Sequence, residues 1–158
     1  MLSVTNISKS FHYKPVLKNI GFSLSPGETV ALIGKNGAGK SSIIDAITFS
    51  LFGQHTRKSN KSLIKRRSNQ GFTKIGFSIN GRQYQAVRKI DNKGSLSAKF
   101  SEIIGDERIE LAAGERKQFG ESMTHEIEKT IGLDFEKLKK TLLNISREIL
   151  LLMIFIYT

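Results

Sequence analysis

The sequence has no cysteine among its 158 residues, which excludes a disulfide scaffold, a Cys-ligated zinc site and a thiol nucleophile. Proline is almost as scarce, and neither of its two copies lies beyond Pro26. No apolar run reaches the roughly 18 residues of a membrane span, and the longest, Ile149–Tyr157, is too short. The N-terminus lacks a basic segment followed by a long apolar one, so no signal peptide is expected. A single domain in a reducing cytoplasm fits these absences.

Acidic residues are scarce in the first part of the chain. Residues 1–100 hold 17 Lys/Arg and 3 Asp/Glu (net +14), whereas residues 101–158 hold 8 and 11 (net −3), which together give +11. The densest basic stretch, Gln54–Lys74, contains no acid. It suits a polyanion such as nucleotide phosphate, nucleic acid or an anionic surface, and the alternative is a solvated loop without a partner.

The first third of the sequence predicts two strands and a helix around a glycine-rich loop. Val16–Ser25 and Glu28–Ile33 have the apolar patterns of strands. Gly34–Gly39 follows as the loop. Lys40–Phe52 then predicts a largely buried helix that Gly53 ends.

The middle of the sequence predicts consecutive antiparallel strands. Apolar residues alternate over Thr73–Ile79 and Tyr84–Ile90, and Asn80-Gly81 between them is typical of a tight hairpin turn. The alternation continues over Leu96–Phe100, and Glu107–Leu111 is a candidate fourth strand.

The last part of the sequence predicts two helices. Phe119, Met123, Ile127 and Ile131 recur every fourth residue, as on the buried face of a helix, and Asp134 is placed to cap a second one. Together with the preceding strands, this order predicts an α/β fold with a mostly antiparallel sheet around the helix that follows the glycine-rich loop.

The glycine-rich loop matches the phosphate-loop pattern G-x-x-x-x-G-K-[ST], with a strand before it and a helix after it. Glycines let successive N–H groups point at phosphate oxygens, and the helix directs its positive end at the same anion. Lys40 is expected to contact the β- and γ-phosphates, and the Ser41 hydroxyl to be a ligand of Mg²⁺. The predicted ATP-binding residues are Gly34, Asn36, Gly37, Ala38, Gly39, Lys40, Ser41 and Ser42.

Hydrolysis requires an acidic residue at the end of a second strand and a group that orients water. The sequence contains no run of four apolar residues followed by Asp-Glu or Asp-Asp. Asp45 lies inside the loop's own helix, and the other carboxylates beyond the loop are in polar surroundings. We therefore assign no catalytic residue, and whether the chain itself is an enzyme stays open.

Beyond the loop motif, the stretch NGAGKSSIIDAITFSLFG (Asn36–Gly53) resembles the ATPase head of SMC-related proteins, in particular the Rad50/SbcC double-strand-break repair family. The basic loop, the 73–90 hairpin and the section Gly114–Leu138 resemble the corresponding parts of that head. The resemblance extends over residues 27–140.

This resemblance implies the N-terminal half of an ATP-binding-cassette head. The complete family members bind ATP and Mg²⁺, pair two heads, and act on DNA with a nuclease partner, in the cytoplasm and at the nucleoid. A C-terminal half would be needed to complete the head. Sequence-independent DNA contacts are then expected from the basic stretch, at Arg57, Lys58, Lys61, Lys65, Arg66 and Arg67.

Residues 1–33 depart from that pattern, because they are more similar to the ATP-binding subunits of ABC transporters. In those subunits an aromatic residue stacks on adenine, and Tyr13 is the matching position. A fragment of an ATP-binding subunit of a transporter is accordingly one alternative function, and a truncated product that binds nucleotide weakly or not at all is another.

Other family elements are missing or altered. Leu111–Gln118 resembles the cassette signature, but alanines replace its Ser and one Gly, so it is not expected to function. No Gln follows Gln118 to reach Mg²⁺. We expect the half-head to occupy residues 1–145. The apolar residues 146–158 suggest an early stop or a frameshift, or else a short strand or helix packed on the core.

Overall fold

The computed structural model describes residues 2–11, 14–25, 29–33, 35–64, 67–91, 93–115, 117–143 and 149–153. It has eight strands in these ranges: β1 (Leu2–Phe11), β2 (Lys14–Leu24), β3 (Thr29–Ile33), β4 (Gln70–Ile79), β5 (Arg82–Asp91), β6 (Gly94–Ile104), β7 (Glu107–Glu115) and β8 (Ile149–Met153). Its helices are α1 (Lys40–Phe52), α2 (Lys117–Ile131) and α3 (Phe135–Leu143), with a short 3₁₀ turn at Asn60–Ser62. The fold is therefore mixed α/β, as the sequence predicts.

Six strands form one antiparallel sheet in the order β2-β1-β4-β5-β6-β7. The β4–β5 hairpin turns at Asn80 and Gly81, whose φ angles of 50° and 76° are those that this tight turn needs. The fourth predicted strand is longer than the sequence indicated, because β7 pairs with β6 as far as Glu115. Of the signature-like segment, residues 111–115 lie in β7 and residues 117–118 in α2.

One face of this sheet and the helices α1 and α2 enclose the hydrophobic core. Ten residues of α1 are buried, so this helix lies in the core over most of its length. Phe77, Tyr84 and Phe100 stack on the inner face of the sheet, with ring centroids 5.5–6.0 Å apart. Met123 and Ile127 of α2 are fully buried and Ile131 is half-buried, which confirms the predicted apolar face for these three, whereas the side chain of Phe119 lies outside the described residues.

The predicted helix cap at Asp134 is confirmed. The Lys137 amide donates to Asp134 Oδ1 over 2.8 Å at the start of α3, and this bond holds the pKa of the carboxyl below its ordinary value. Among the described residues no helix is long and apolar enough to cross a membrane.

Strand β3, which leads into the phosphate loop, pairs with β8 in a separate two-stranded antiparallel sheet. The register joins Thr29 to Met153 and Ile33 to Ile149. Residues 149–153 therefore form a strand, and the early stop or frameshift stays a prediction. The division into 1–145 and 146–158 stays a prediction.

Candidate functional site

The phosphate loop makes a tight turn between β3 and α1. Gly37 and Gly39 have φ angles of 83° and 95°, which L-residues with side chains rarely adopt. The Ala38 amide donates to the Lys35 carbonyl over 3.0 Å and closes the turn. Residues 35–38 are exposed, so the loop presents its backbone to solvent.

Helix α1 begins directly at this loop. The Ser42 and Ile43 amides donate to the Gly39 carbonyl over 2.9 and 3.2 Å, so the first helical turn starts at the last loop glycine. The first turn contains no acidic residue, and no side chain caps it. The positive end of the helix dipole is therefore available to an anion at the loop.

Lys40 lies in the first turn and is half-buried. Its Nζ donates to the Lys35 carbonyl over 3.3 Å, which holds the ammonium group across the loop. Ser41 beside it is exposed, and its hydroxyl is the hard oxygen that Mg²⁺ prefers. Within the described ranges no group of three or more His, Cys, Asp or Glu could hold a metal. The Ser41 hydroxyl is the group of this loop that would contact a bound Mg²⁺.

Ser42 differs from its neighbour because it is buried and bonded to the basic segment, residues 54–64 and 67–69. Arg57 Nη2 donates to Ser42 Oγ over 2.7 Å. The same guanidinium donates through Nε to Asp45 Oδ2 over 2.6 Å, one turn further along α1. Arg57 thereby joins the phosphate-loop helix to the basic segment.

The Asp45 carboxylate is the anchor of this connection. Its side chain is 2% exposed, and its other oxygen, Oδ1, accepts hydrogen bonds from the amide and the hydroxyl of Thr56 over 2.9 and 2.7 Å. A buried carboxylate is stable only when such donors satisfy it. Sequence reasoning missed this role, although an acid inside an apolar helix was a usable signal.

The predicted DNA-binding residues are not equivalent. Lys58, Lys61 and Arg67 are exposed, whereas Arg57 is engaged with Asp45 and Ser42. His55 Nε2 and Asn60 Oδ1 are 2.9 Å apart, which fixes the course of the segment. Lys65 and Arg66 lie outside the described residues, as do Gly34 of the loop and Tyr13, the predicted adenine contact. The roles of all these residues stay predictions.

At its other end, α1 receives the buried guanidinium of Arg88 from β5. Arg88 is 2% exposed and donates to the carbonyls of Ser50 and Leu51 over 3.1 and 3.0 Å. It also donates to Thr124 Oγ1 of α2 over 2.8 Å. Burial lowers the pKa of Arg88 to about 10, so the group remains charged at neutral pH. The cation complements the negative end of the helix dipole and fixes α1 against α2.

Gly53 ends α1 under this guanidinium and provides a test of the contact. We expect Gly53→Ala to lower the free energy of unfolding more than Gly132→Ala at the end of α2. Both glycines have a φ of 67°, but a Cβ at Gly53 would lie 3.1 Å from Arg88 Nη1, whereas a Cβ at Gly132 would contact nothing within 4 Å. Urea unfolding of both variants measures the difference. Equal losses in the free energy of unfolding would mean that the Arg88 guanidinium moves away from the new Cβ at little cost.

The sequence is similar to a known domain family and to characterised ATPases. Residues 2–156 match the family described as AAA domain. The DNA double-strand break repair Rad50 ATPase of Sulfurisphaera tokodaii is 35% identical over 119 residues, which cover 74% of this chain and 13% of that protein. The corresponding Rad50 ATPase of Sulfolobus acidocaldarius is 34% identical over 117 residues, or 73% of this chain and 12% of that protein.

A second group of relatives consists of transport proteins. The ribose import ATP-binding protein RbsA of Halalkalibacterium halodurans is 43% identical over 67 residues, which cover 42% of this chain and 13% of that protein. The chain thus spans only a small part of the length of the curated relatives that it matches. The similarity to both groups agrees with the two resemblances found in the sequence.

Proposed function

The chain belongs to the AAA domain family, and from this premise we propose that it binds ATP-Mg²⁺ as the N-terminal half of a DNA double-strand-break repair ATPase head. The observation that carries the proposal is the open phosphate loop at the start of a buried helix. Lys40 is half-buried in the first turn of that helix and Ser41 beside it is exposed, next to a loop whose residues 35–38 are exposed. That combination recognises a chain of phosphates.

Each of these groups has a distinct part in binding. The loop glycines bring backbone N–H groups toward the α- and β-phosphates, and Lys40 exchanges its contact with the Lys35 carbonyl for phosphate oxygens. The Ser41 hydroxyl would help to hold a bound Mg²⁺, which would supply neutralisation of the phosphate charge. Ser42, held by Arg57, keeps the first turn of α1 in place beside the loop.

In the complete assembly, this half-head would work with other parts of the protein and with a nuclease. The similarity to Rad50 ATPases supports action on DNA together with a C-terminal half, a second head and a nuclease, at the nucleoid. Lys58, Lys61 and Arg67 offer exposed cations for sequence-independent phosphate contacts. We assign ATP hydrolysis to that complete assembly.

Nucleotide binding by variants of Lys40 tests the proposal. We expect Lys40→Ala to weaken the binding of a fluorescent ATP analogue by about tenfold or more, since a charge-assisted contact with phosphate is lost. Lys35→Ala is the matched control, because Lys35 is exposed in the same loop and accepts from Lys40 through its backbone carbonyl, which the substitution retains. Equal affinities of wild type and Lys40→Ala would reject the phosphate site.

The similarity to RbsA supports a second candidate, an ATP-binding subunit of a transporter. Both candidates share the phosphate loop, so nucleotide binding does not separate them. Co-purification with a membrane permease would favour the transporter, whereas salt-sensitive retention on DNA would favour the repair ATPase.

A further inference from the structure

The sheet face turned away from α1 and α2 carries an exposed aromatic residue and several lysines. Side chains alternate between the two faces of a strand, so the burial of Ile75 and Phe77 places Phe72 and Lys74 of β4 on the outer face. On β5, the same alternation places Val87 and Lys89 on the outer face, whereas Arg88 between them is buried on the inner face. We call Phe72, Lys74, Lys89 and Lys99 the sheet patch.

The strand register assembles these residues into neighbouring rows. Phe72 pairs directly with Lys89, and Lys74 pairs with Val87. Val87 in turn pairs with Lys99 on β6. Side chains that are directly opposite in an antiparallel sheet lie within contact distance, so the aromatic ring is bordered by ammonium groups.

Phe72 has no role in the core, because 71% of its surface is exposed. A phenylalanine this exposed gains little from folding. The ring offers a π-face on which a planar group could stack.

The lysines of the sheet patch favour a partner with negative charge. Among the residues that the structure describes, no carboxylate lies within ion-pairing distance of Lys74 or Lys89. Lys99 pairs with Glu110 over 2.6 Å at the border of the patch. At the nearby turn, Asp91 Oδ1 accepts hydrogen bonds from the amides of Lys93 and Gly94. The surface around the ring is therefore cationic.

We propose that the sheet patch binds single-stranded DNA, with an unpaired base stacked on Phe72 and the adjoining phosphates on Lys74 and Lys89. Stacking on an exposed ring between cations is the physical basis of sequence-tolerant single-strand binding. A duplex hides the faces of its bases, so only a melted or single-stranded region can use the ring. The inference rests on the DNA part of the proposed function and assigns it a second surface.

This surface differs from the basic segment in a testable way. Lys58 and Lys61 are exposed, but the described residues 54–64 and 67–69 contain no Phe, Tyr or Trp. The basic segment thus fits phosphates of any nucleic acid, whereas the sheet patch selects unpaired bases.

The chain contains no tryptophan, so Phe72→Trp introduces a single fluorescent reporter at the patch. We expect its emission to be quenched on addition of oligo(dT) in a saturable manner, because a stacked base quenches the indole. The quenching should weaken steeply with salt, and a duplex of equal length should cause little of it. Unchanged emission while oligo(dT) binds would overturn the proposal, since the strand would then lie elsewhere.

Affinity measurements with end-labelled oligo(dT) provide the second arm. We expect Phe72→Leu, which keeps the apolar surface but removes the π-face, to weaken binding by about 5- to 100-fold. Each of Lys74→Gln and Lys89→Gln should reduce the salt slope by about 0.7. Lys18→Gln on the exposed surface of β2 removes the same charge away from the patch and is the control.

The outcomes separate this inference from the proposed function. If Phe72→Leu binds oligo(dT) as wild type does, the sheet patch is rejected, while duplex binding through Lys58 and Lys61 would leave the repair function standing. If no DNA binds at all, the inference is overturned, and the ATP measurements with Lys40→Ala decide separately on the nucleotide site.

Discussion

Replacing Arg88 by methionine is expected to lower the free energy of unfolding by about 2–4 kcal/mol, because several buried acceptors lose their donor at once. The guanidinium satisfies the carbonyls of Ser50 and Leu51 and the hydroxyl of Thr124. Methionine fills a similar volume without donating, so the loss reports the hydrogen bonds rather than a cavity. Chemical denaturation monitored by circular dichroism measures the change.

Two further variants distinguish the causes of this loss. Arg88→Lys retains the charge but not the planar fork of donors, and we expect it to recover less than half of the stability. Lys89→Met on the exposed neighbour should change stability by less than about 0.5 kcal/mol. If Arg88→Met were as stable as wild type, the cost of burying the charge would equal the whole gain from its contacts.

The sequence was sufficient for the local structure around the phosphate loop. Helix α1 has the predicted first and last residues, because a strong start signal after Gly39 and a glycine in the left-handed region at Gly53 mark its ends. The hairpin at Asn80-Gly81 was predictable for the same reason, since few residues tolerate its backbone angles. Such signals are local and need no knowledge of packing.

Arg88 shows what the pattern alone could not supply. It alternates with Tyr84, Ala86 and Ile90, so the sequence placed a charged residue on an apolar face. Its acceptors are 37 and 38 residues away along the chain, at the end of α1. Such a long-range contact depends on how the helix crosses the sheet, which periodicity does not determine.

For Arg57, the composition of the basic stretch suggested binding to a polyanion, and the structure adds an ion pair with Asp45. A run of cations without acids indicates a polyanion, and the sequence offered no reason to set Arg57 apart from Lys58. The partner acid lies 12 residues earlier, on the buried side of α1. Only the return of the chain past the helix brings the two together.

Removing that acid should release the basic segment from the phosphate-loop helix. We expect Asp45→Ala to lower the free energy of unfolding by about 3–5 kcal/mol, because it leaves the Arg57 guanidinium and the Thr56 donors without their buried acceptor. Asp45→Asn should cost less, since its side-chain oxygen can still accept from Thr56. Asp106→Asn, at an exposed turn, is the control and should be close to neutral.

A double-mutant cycle with Arg57→Met measures the coupling between the two charges. The loss in the double variant should be smaller than the sum of the single losses, because either substitution alone already breaks the pair. Limited trypsin digestion gives an independent measure of the release, since cleavage after Lys58 and Lys61 requires local opening of the segment. Faster cleavage at these two sites in Asp45→Ala, with unchanged cleavage after the exposed Lys18, would show that Asp45 holds the segment. Equal rates at all sites would mean that the 3₁₀ turn and its contact with His55 keep the segment in place without the ion pair.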